Sequence, residues 1–227
     1  GSVNMHPAYG LSFVIDDIYP EYTMGDLLRR RREILARLER EGILNMNQEL
    51  EWPDLCLRVA VISSSSAAGY GDFFHQLLTN RYGFAFKVKL FESLMQGNRA
   101  APSLINALER IAAEIDQWDC VVMIRGGGAT SDLTDFEDYN LASNVAQFPL
   151  PIISGLGHHR DMTLPDLVAN QHVKNPTAAA EWLIAHALDQ LSAINERANI
   201  VAALIKDTLS RAREHLAFVD GNLPVAA

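Results

Sequence analysis

Around Leu11, Phe13 and Ile15 apolar and polar residues alternate, so Tyr9–Pro20 is expected to form one or two short strands. From about Met24 to Glu41 the spacing becomes helical: Leu27, Leu28, Ile34, Leu35 and Leu38 supply the apolar positions, and Gly42 is a stop. A repeating order then sets in. Arg58–Ser63 is a compact apolar, β-branched strand, followed by a Ser/Gly/Ala loop and a helix through Phe73–Asn80. Ala85–Phe91 is a second strand, and Ser103–Gln117 a helix with Leu104, Ile105, Leu108, Ile111 and Ile115 on one face. Cys120–Ile124 is a third, buried strand; a glycine loop, a short helix near Tyr139–Ala146 and a fourth strand at Pro151–Gly155 follow. Strands alternating with helices predict an α/β fold, a parallel sheet flanked by helices on both faces. Ligands of such sheets bind beyond the carboxyl ends of the strands, so the loops there are the place to look for chemistry. Thr177 to about Phe218 is one long helix or two, with an apolar stripe from Trp182 to Leu209, ended by Gly221 and Pro224. A helix of that length exceeds the globular norm and predicts a helical arm or partner interface.

Composition narrows this only slightly. With 227 residues, 48% hydrophobic and 21% charged, the chain can bury a core as one domain with extensions. No run approaches the roughly 18 apolar residues of a membrane span, and no charged-then-apolar signal opens the chain. Gly1 and Ser2 read as a tag remnant and are set aside. Cys56 and Cys120 sit among apolar residues and make neither a disulfide framework nor a zinc set, which points to buried thiols and a cytoplasmic setting. A net charge of −9 argues against a surface that grips nucleic acid all over, though not against a local anion site. The helix over 24–41 concentrates Arg29, Arg30, Arg31, Arg32, Arg37 and Arg40. The plainer reading is a solvated face paired with Glu33, Glu39 and Glu41; the sharper one is a phosphate-tracking stripe.

The loops after the strands hold the candidate chemistry. Ser63–Asp72 is rich in small residues that let backbone N–H groups and hydroxyls approach an anion, with Ser64 and Ser65 as candidates; it lacks the Gly-Lys-Ser/Thr ending of a P-loop. Asp72 reads structurally as a helix-start carboxylate. After the third strand, Arg125 precedes Gly126, Gly127 and Gly128, a run whose N–H groups can form an anion nest beside a guanidinium suited to phosphate. The plain alternative is a tight turn with Arg125 paired to a structural carboxylate, and Asp132 reads as the cap of the next helix. After the fourth strand comes Gly155-Leu156-Gly157-His158-His159-Arg160-Asp161. His158 is an acid–base group near neutral pH, and Asp161, three residues on, could orient it or hold a metal. In Asn175-Pro176-Thr177, Thr177 is a phosphate or cap hydroxyl. The residues alone thus predict a parallel α/β domain with an anionic, phosphate-type ligand and an acid–base histidine.

The chain also resembles a known family, the large subunit of exonuclease VII. The resemblance rests on Arg125–Ala129 with Asp132-Leu133 and Phe136, on Pro151–Asp161, on Asp166–Ala169, on Pro176–Glu181, and upstream on Ile62–Ser64 and Asp72. It implies the end of an N-terminal OB-fold domain and a linking helix over residues 1–57, a nuclease core over 58–176 and the start of a helical arm over 177–227. It further implies hydrolysis of single-stranded DNA from either end to oligonucleotides, in DNA catabolism and repair, and a small-subunit partner held by the arm. Asp72, Arg125, His158 and Asp161 are the key residues by motif. Arg125 and Gly126–Gly128 would hold the phosphate, His158 would move the proton, Asp161 would orient it, and Asp72 would be a second carboxylate. Mg²⁺ would suit Asp72 and Asp161; no metal is assigned. The chain departs from the family at His159 and Arg160, where Glu and Thr are usual, at Thr134, where Trp is usual, and near Gln171, His172 and Lys174, where an Arg is expected. Two other classes stay open: a phosphate- or nucleotide-binding enzyme with a glycine-rich loop, which a nucleotide would stabilise saturably, and a non-catalytic assembly module, which would leave DNA intact.

With the OB fold expected to supply most of the strand-binding surface, the acidic chain alone should bind single-stranded DNA weakly or undetectably. Fluorescence titration of a labelled oligonucleotide checks this, and tight binding insensitive to salt would refute it.

Overall fold

The computed structural model describes residues 2–6, 10–14, 20–126, 130–157 and 161–221, with side chains over 25–126, 133–157 and 161–218. β1 (Ser2–His6) and β2 (Gly10–Val14) form an antiparallel ribbon with Ser2 opposite Val14. Of the expected span Tyr9–Pro20, β2 is the one strand among the described residues, and its partner β1 lies before Tyr9; Ser2, set aside in the sequence, is part of β1. α1 (Pro20–Arg40) follows, with Leu38 and Ile34 buried; Leu28 turns outward. Gly42, at φ 72°, ends it in the left-handed conformation that glycine adopts without a Cβ penalty, and Ile43 N donates back to Leu38 O.

The core sheet has five strands where four were expected. β3 (Arg58–Ser63), β4 (Lys87–Glu92), β5 (Cys120–Ile124), β6 (Ile152–Gly155) and the two-residue β7 (Gln171–His172) lie in the order β4-β3-β5-β6-β7, every pair parallel. β7 escaped the periodicity because two residues have no period. The chain builds outward from β3 in one direction to β4 and in the other to β5, β6 and β7. The carboxyl ends of β3 and β5 therefore bound the topological switch point, the place where parallel sheets of this kind commonly bind their ligands.

Alternation along the strands divides two apolar layers. Val59, Val61, Cys120, Val122, Ile124 and Ile153 pack under α2 (Ala68–Leu78) and the first turns of α6 (Pro176–Gly221). Ala60, Ile62, Val121, Met123 and Ile152 pack under α1, α3 (Ala100–Ala112), α4 (Tyr139–Ala146) and α5 (Leu164–Val168). α3 stops at Ala112, short of the expected Gln117. Glu114 leaves helical geometry at φ −130°, and Ile115–Gln117 is a separate 3-10 turn that brings Trp118 into the core, edge-on to Phe91. Both cysteines are buried free thiols, and burial pushes Cys120 well up, which keeps it protonated and inert. From Ile194 to Phe218 every residue of α6 is exposed, so the arm leaves the core uncovered. No helix among the described residues is long and apolar enough to cross a membrane.

The segment between α1 and β3 ties the two layers together around the β7 edge. Asn47, fully buried, donates to the carbonyls of Phe148 and Leu150 and accepts from the N–H groups of Ile152 and Asn170, all at 2.9–3.1 Å. Trp52 donates to Asn170 Oδ1 and packs 4.2 Å from Trp182 of α6, whose ring stacks on His186. Because four backbone groups depend on one amide, Asn47→Ala should destabilise the fold by about 3 kcal/mol. The check is a chemical denaturation curve whose midpoint falls while its slope is unchanged.

Candidate active site

Small residues bring three chain segments together at the switch point. α2 begins at Ala68, directly behind Ser64–Ala67, because Gly69 lets it: a Cβ there would lie 2.7 Å from Pro176 Cγ, 3.1 Å from the Arg125 carbonyl oxygen and 3.2 Å from Gly126 Cα. Gly126 in turn faces Ala67, whose Cβ would be 3.3 Å from an added one. The start of α2 and the start of the glycine run after β5 therefore meet backbone to backbone, with the Pro176 ring at the start of α6 packed against Gly69.

The loop after β6 is organised from below by Asp166, which is 3% exposed. Its Oδ1 accepts from Ser154 Oγ at 2.6 Å and Leu156 N at 3.3 Å; its Oδ2 accepts from Gly157 N at 2.9 Å, Thr163 N at 2.8 Å and Thr163 Oγ1 at 2.7 Å. Thr163 and Asp166 also form a capping box at the start of α5, with Pro165 in the first turn. Gly157 has no room for a side chain: a Cβ would collide with the Asp161 carbonyl and lie 2.6 Å from Asp166 Oδ2. The two described ends of this loop, Gly157 and Thr163, are thus drawn to one carboxylate.

A second carboxylate flanks the loop. Glu137 Oε1 accepts from Leu164 N at 3.2 Å, and its Oε2 lies 3.6 Å from Arg31 Nε of α1. Arg31 Nη2 also donates to the Met162 carbonyl. Burial raises the Glu137 carboxyl above the usual carboxylate range; Arg31 and the Leu164 N–H oppose the shift, and Asp166 adds to it.

The expected site residues are distributed as follows. Arg125, 6% exposed, stands one residue beyond β5 on the α3/α4 face, its guanidinium carbon 5.9 Å from the Phe136 ring centre. Gly126 is at the switch point; Gly127, Gly128 and His158 lie outside the described residues, as do His159 and Arg160. Asp161 is exposed in the loop after β6. Asp72 is exposed in the second turn of α2, so it is not the helix-start carboxylate: that position is Ala67, which makes no side-chain cap, because the helix begins earlier than its apolar spacing indicated. Ser64 Oγ pairs with Ser66 Oγ at 2.9 Å, and Ser65 Oγ donates to Glu92 Oε1. Thr177 is half-buried beside Pro176, but the cap of α6 is Asn175, whose Oδ1 accepts from Ala178 N at 2.8 Å. The cap of α4 is Asp138, which accepts from Leu141 N, rather than Asp132. Among the described residues no three His, Cys, Asp or Glu side chains gather as a metal set. On α1, Arg29 pairs with Asp26 and Glu33 and Arg37 with Glu41, the solvated face expected, while Arg31 turns inward. Glu137 was not singled out from the sequence, Arg31 stood there only as one of the arginines of the first helix, and Asp166 only within the segment Asp166–Ala169 that carries the resemblance. The signal for Asp166 was there in Thr163-Leu-Pro-Asp166, a capping-box spacing, and for Arg31 in its place between Leu27 and Ile34 on the buried stripe.

Comparison with known proteins bears on what this arrangement does. A family model described as exonuclease VII, large subunit, matches residues 43–226. Curated relatives named exodeoxyribonuclease 7 large subunit include that of Deinococcus radiodurans, 38% identical over 206 residues, covering 89% of this chain and 49% of the relative. The Lactobacillus helveticus protein is 33% identical over 193 residues, with coverages of 85% and 43%. That of Xanthomonas campestris pv. campestris is 30% identical over 215 residues, with coverages of 95% and 48%. The chain spans about half the length of the curated relatives it matches.

Asp166→Asn replaces one acceptor oxygen by an NH₂ group that must face N–H or O–H donors. The variant should lose about 3 kcal/mol of stability, with amide exchange rising first at 156–163. Equal protection of that segment in variant and parent would contradict the organising role.

Proposed function

This chain belongs to the exonuclease VII large-subunit family, and we propose that its α/β core hydrolyses phosphodiester bonds of single-stranded DNA, from either end, to oligonucleotides. The scissile phosphate sits in the crevice between the loops after β3 and β5. Arg125 and the N–H groups of Gly126–Gly128 hold its non-bridging oxygens, with Ser64, Ser65 and Thr177 along the same rim. Arg125 is nearly excluded from water, where a guanidinium stabilises developing charge more strongly than at the surface. A water oxygen attacks phosphorus, the P–O bond to the leaving nucleotide breaks, and His158 takes the water proton or delivers one to the leaving oxygen. Asp161 orients His158, and Asp72 is the second carboxylate at the rim. Asp72 and Asp161 are the side chains that would hold Mg²⁺, which when bound would neutralise phosphate charge; no step above depends on it.

The observation that carries the reading is the coincidence of family membership with topology: the family match runs through the loops after β3, β5 and β6, and those loops open at the switch-point end of a parallel sheet. We assign residues 1–57, including the β1–β2 ribbon, to the end of an OB-fold domain and a linking helix, 58–176 to the nuclease core and 177–227 to the start of a helical arm. The exposed apolar residues of that arm, among them Ile200, Val201, Leu204 and Ile205, favour a helical partner, which we take to be the small subunit of a cytoplasmic enzyme.

The complete large subunit co-expressed with its small-subunit partner should release oligonucleotides from labelled single-stranded DNA, and His158→Ala should abolish release without altering folding or assembly. Parallel reactions with Mg²⁺ and with EDTA read the metal requirement. An assembled wild-type complex that leaves the strand intact under both conditions would overturn the nuclease reading.

A further inference from the structure

Two side chains that the proposed chemistry does not use grip the loop after β6 from outside. Arg31 occupies the inward stripe of α1, one turn from Leu27 and one from Ile34. It reaches the Met162 carbonyl with Nη2 and Glu137 with Nε, and Glu137 reaches Leu164 N. These contacts fall on the two neighbours of Thr163, whose own N–H and hydroxyl both bond Asp166. Gly157 and Thr163 are therefore both held by Asp166, and the neighbours of Thr163 are tied to α1 and to Glu137.

The pair is a poor source of stability. The Arg31 and Glu137 side chains keep 25% and 15% of their exposure, and their closest ion-pair contact is 3.6 Å, so desolvation offsets much of the attraction. Its contacts are instead placed where a small displacement moves the residues just after His158. α1 lies upstream of the segment matched by the family model and connects the β1–β2 ribbon to the core.

We propose that Arg31 and Glu137 are positioning residues that hold the Asp161–Leu164 segment from α1, so that the placing of this segment depends on how α1 is seated. This rests on the nuclease reading for its consequence, turnover, but not for its geometry. Any module that precedes α1 and binds the strand would then act on the loop through Arg31. The groups facing Glu137 are Arg31 from α1 and Asp166 from α5. Ionised Glu137 attracts Arg31; protonated, it does not, so the clasp loosens as the pH falls through the raised carboxyl value. Stability runs the other way. A carboxyl raised above its unfolded value contributes stability fully below the unfolded value and loses it as the pH rises through the folded one. Glu137→Gln should therefore gain thermal stability relative to the parent at pH 8 compared with pH 5.

The test uses the complete assembled enzyme carrying Arg31→Gln, Arg31→Lys, Glu137→Gln and the swapped pair Arg31→Glu with Glu137→Arg. Arg31→Gln and Glu137→Gln should lower kcat by about tenfold to a hundredfold with KM within about twofold, as expected for misplaced groups. Amide exchange at 157–164 should rise in both, Arg31→Lys should keep part of the rate, and the swap should recover part of it. Unchanged exchange at 157–164, or a loss confined to KM, would overturn the proposal. If the wild-type complex cuts no DNA, the nuclease reading fails while exchange still decides the clasp. If Arg31→Gln does not fold, the wild-type protein decides: acidification should loosen 157–164 relative to the Asn47–Leu50 segment, and equal relative protection would overturn the clasp.

Discussion

A buried carboxylate holds the end of β6 in its shape. Asp166 accepts five hydrogen bonds, from strand, loop and helix start together. Buried carboxyl oxygens in such a place are tolerated only while donors surround them. Hence several residue choices follow from one: a hydroxyl at Ser154, a glycine at 157 where a Cβ would strike the same oxygen, and a threonine at 163 whose hydroxyl serves both as cap and as donor.

The other half of the candidate site is shaped by the absence of side chains. Gly69 and Gly126 let the start of α2 and the loop after β5 approach to backbone contact, with the Pro176 ring against Gly69, at the switch in strand order between β3 and β5. Alternation along β5 then sends Arg125 to the α3/α4 face, over Phe136, beside the layer that carries Asp166 and Glu137. An acidic protein can hold an anion in this way, because a single desolvated guanidinium and oriented backbone dipoles act locally while the net charge of −9 is spread over solvent.

The two ends of the chain differ in how they meet the core. α1 docks by Ile34, Leu38 and the inward Arg31, and the following segment is pinned by Asn47 and by Trp52 against Trp182. α6 packs against α2 and the sheet through Ala187 and then runs on with Ile200, Val201, Leu204 and Leu209 exposed by half or more. Apolar surface of that extent on a solitary helix is unfavourable in water, which is what supports the proposed partner of the arm.

The sequence by itself determined the elements and their class. A strand of β-branched residues such as Arg58–Ser63, or a helical stripe such as Leu104–Ile111, is legible because its periodicity is a local property of consecutive residues. The motif loops were legible for a similar reason: Arg125-Gly126 and Gly155–Asp161 stand out by composition and position after a strand. Capping was misassigned at Asp72, Asp132 and Thr177, since the exact first turn of a helix is decided by what it packs against: α2 starts early because Gly69 fits against Pro176 and Arg125. The order of the strands, the two-residue β7, the clasp of Arg31 and Glu137 across 106 positions of sequence, and the burial of Asp166 were decided by tertiary structure alone. The strand order and the clasp depend on atoms far apart in the chain, and even for Asp166, whose capping-box spacing is local, the bonds from Ser154 and Gly157 that bury it follow only from how the loop after β6 folds back.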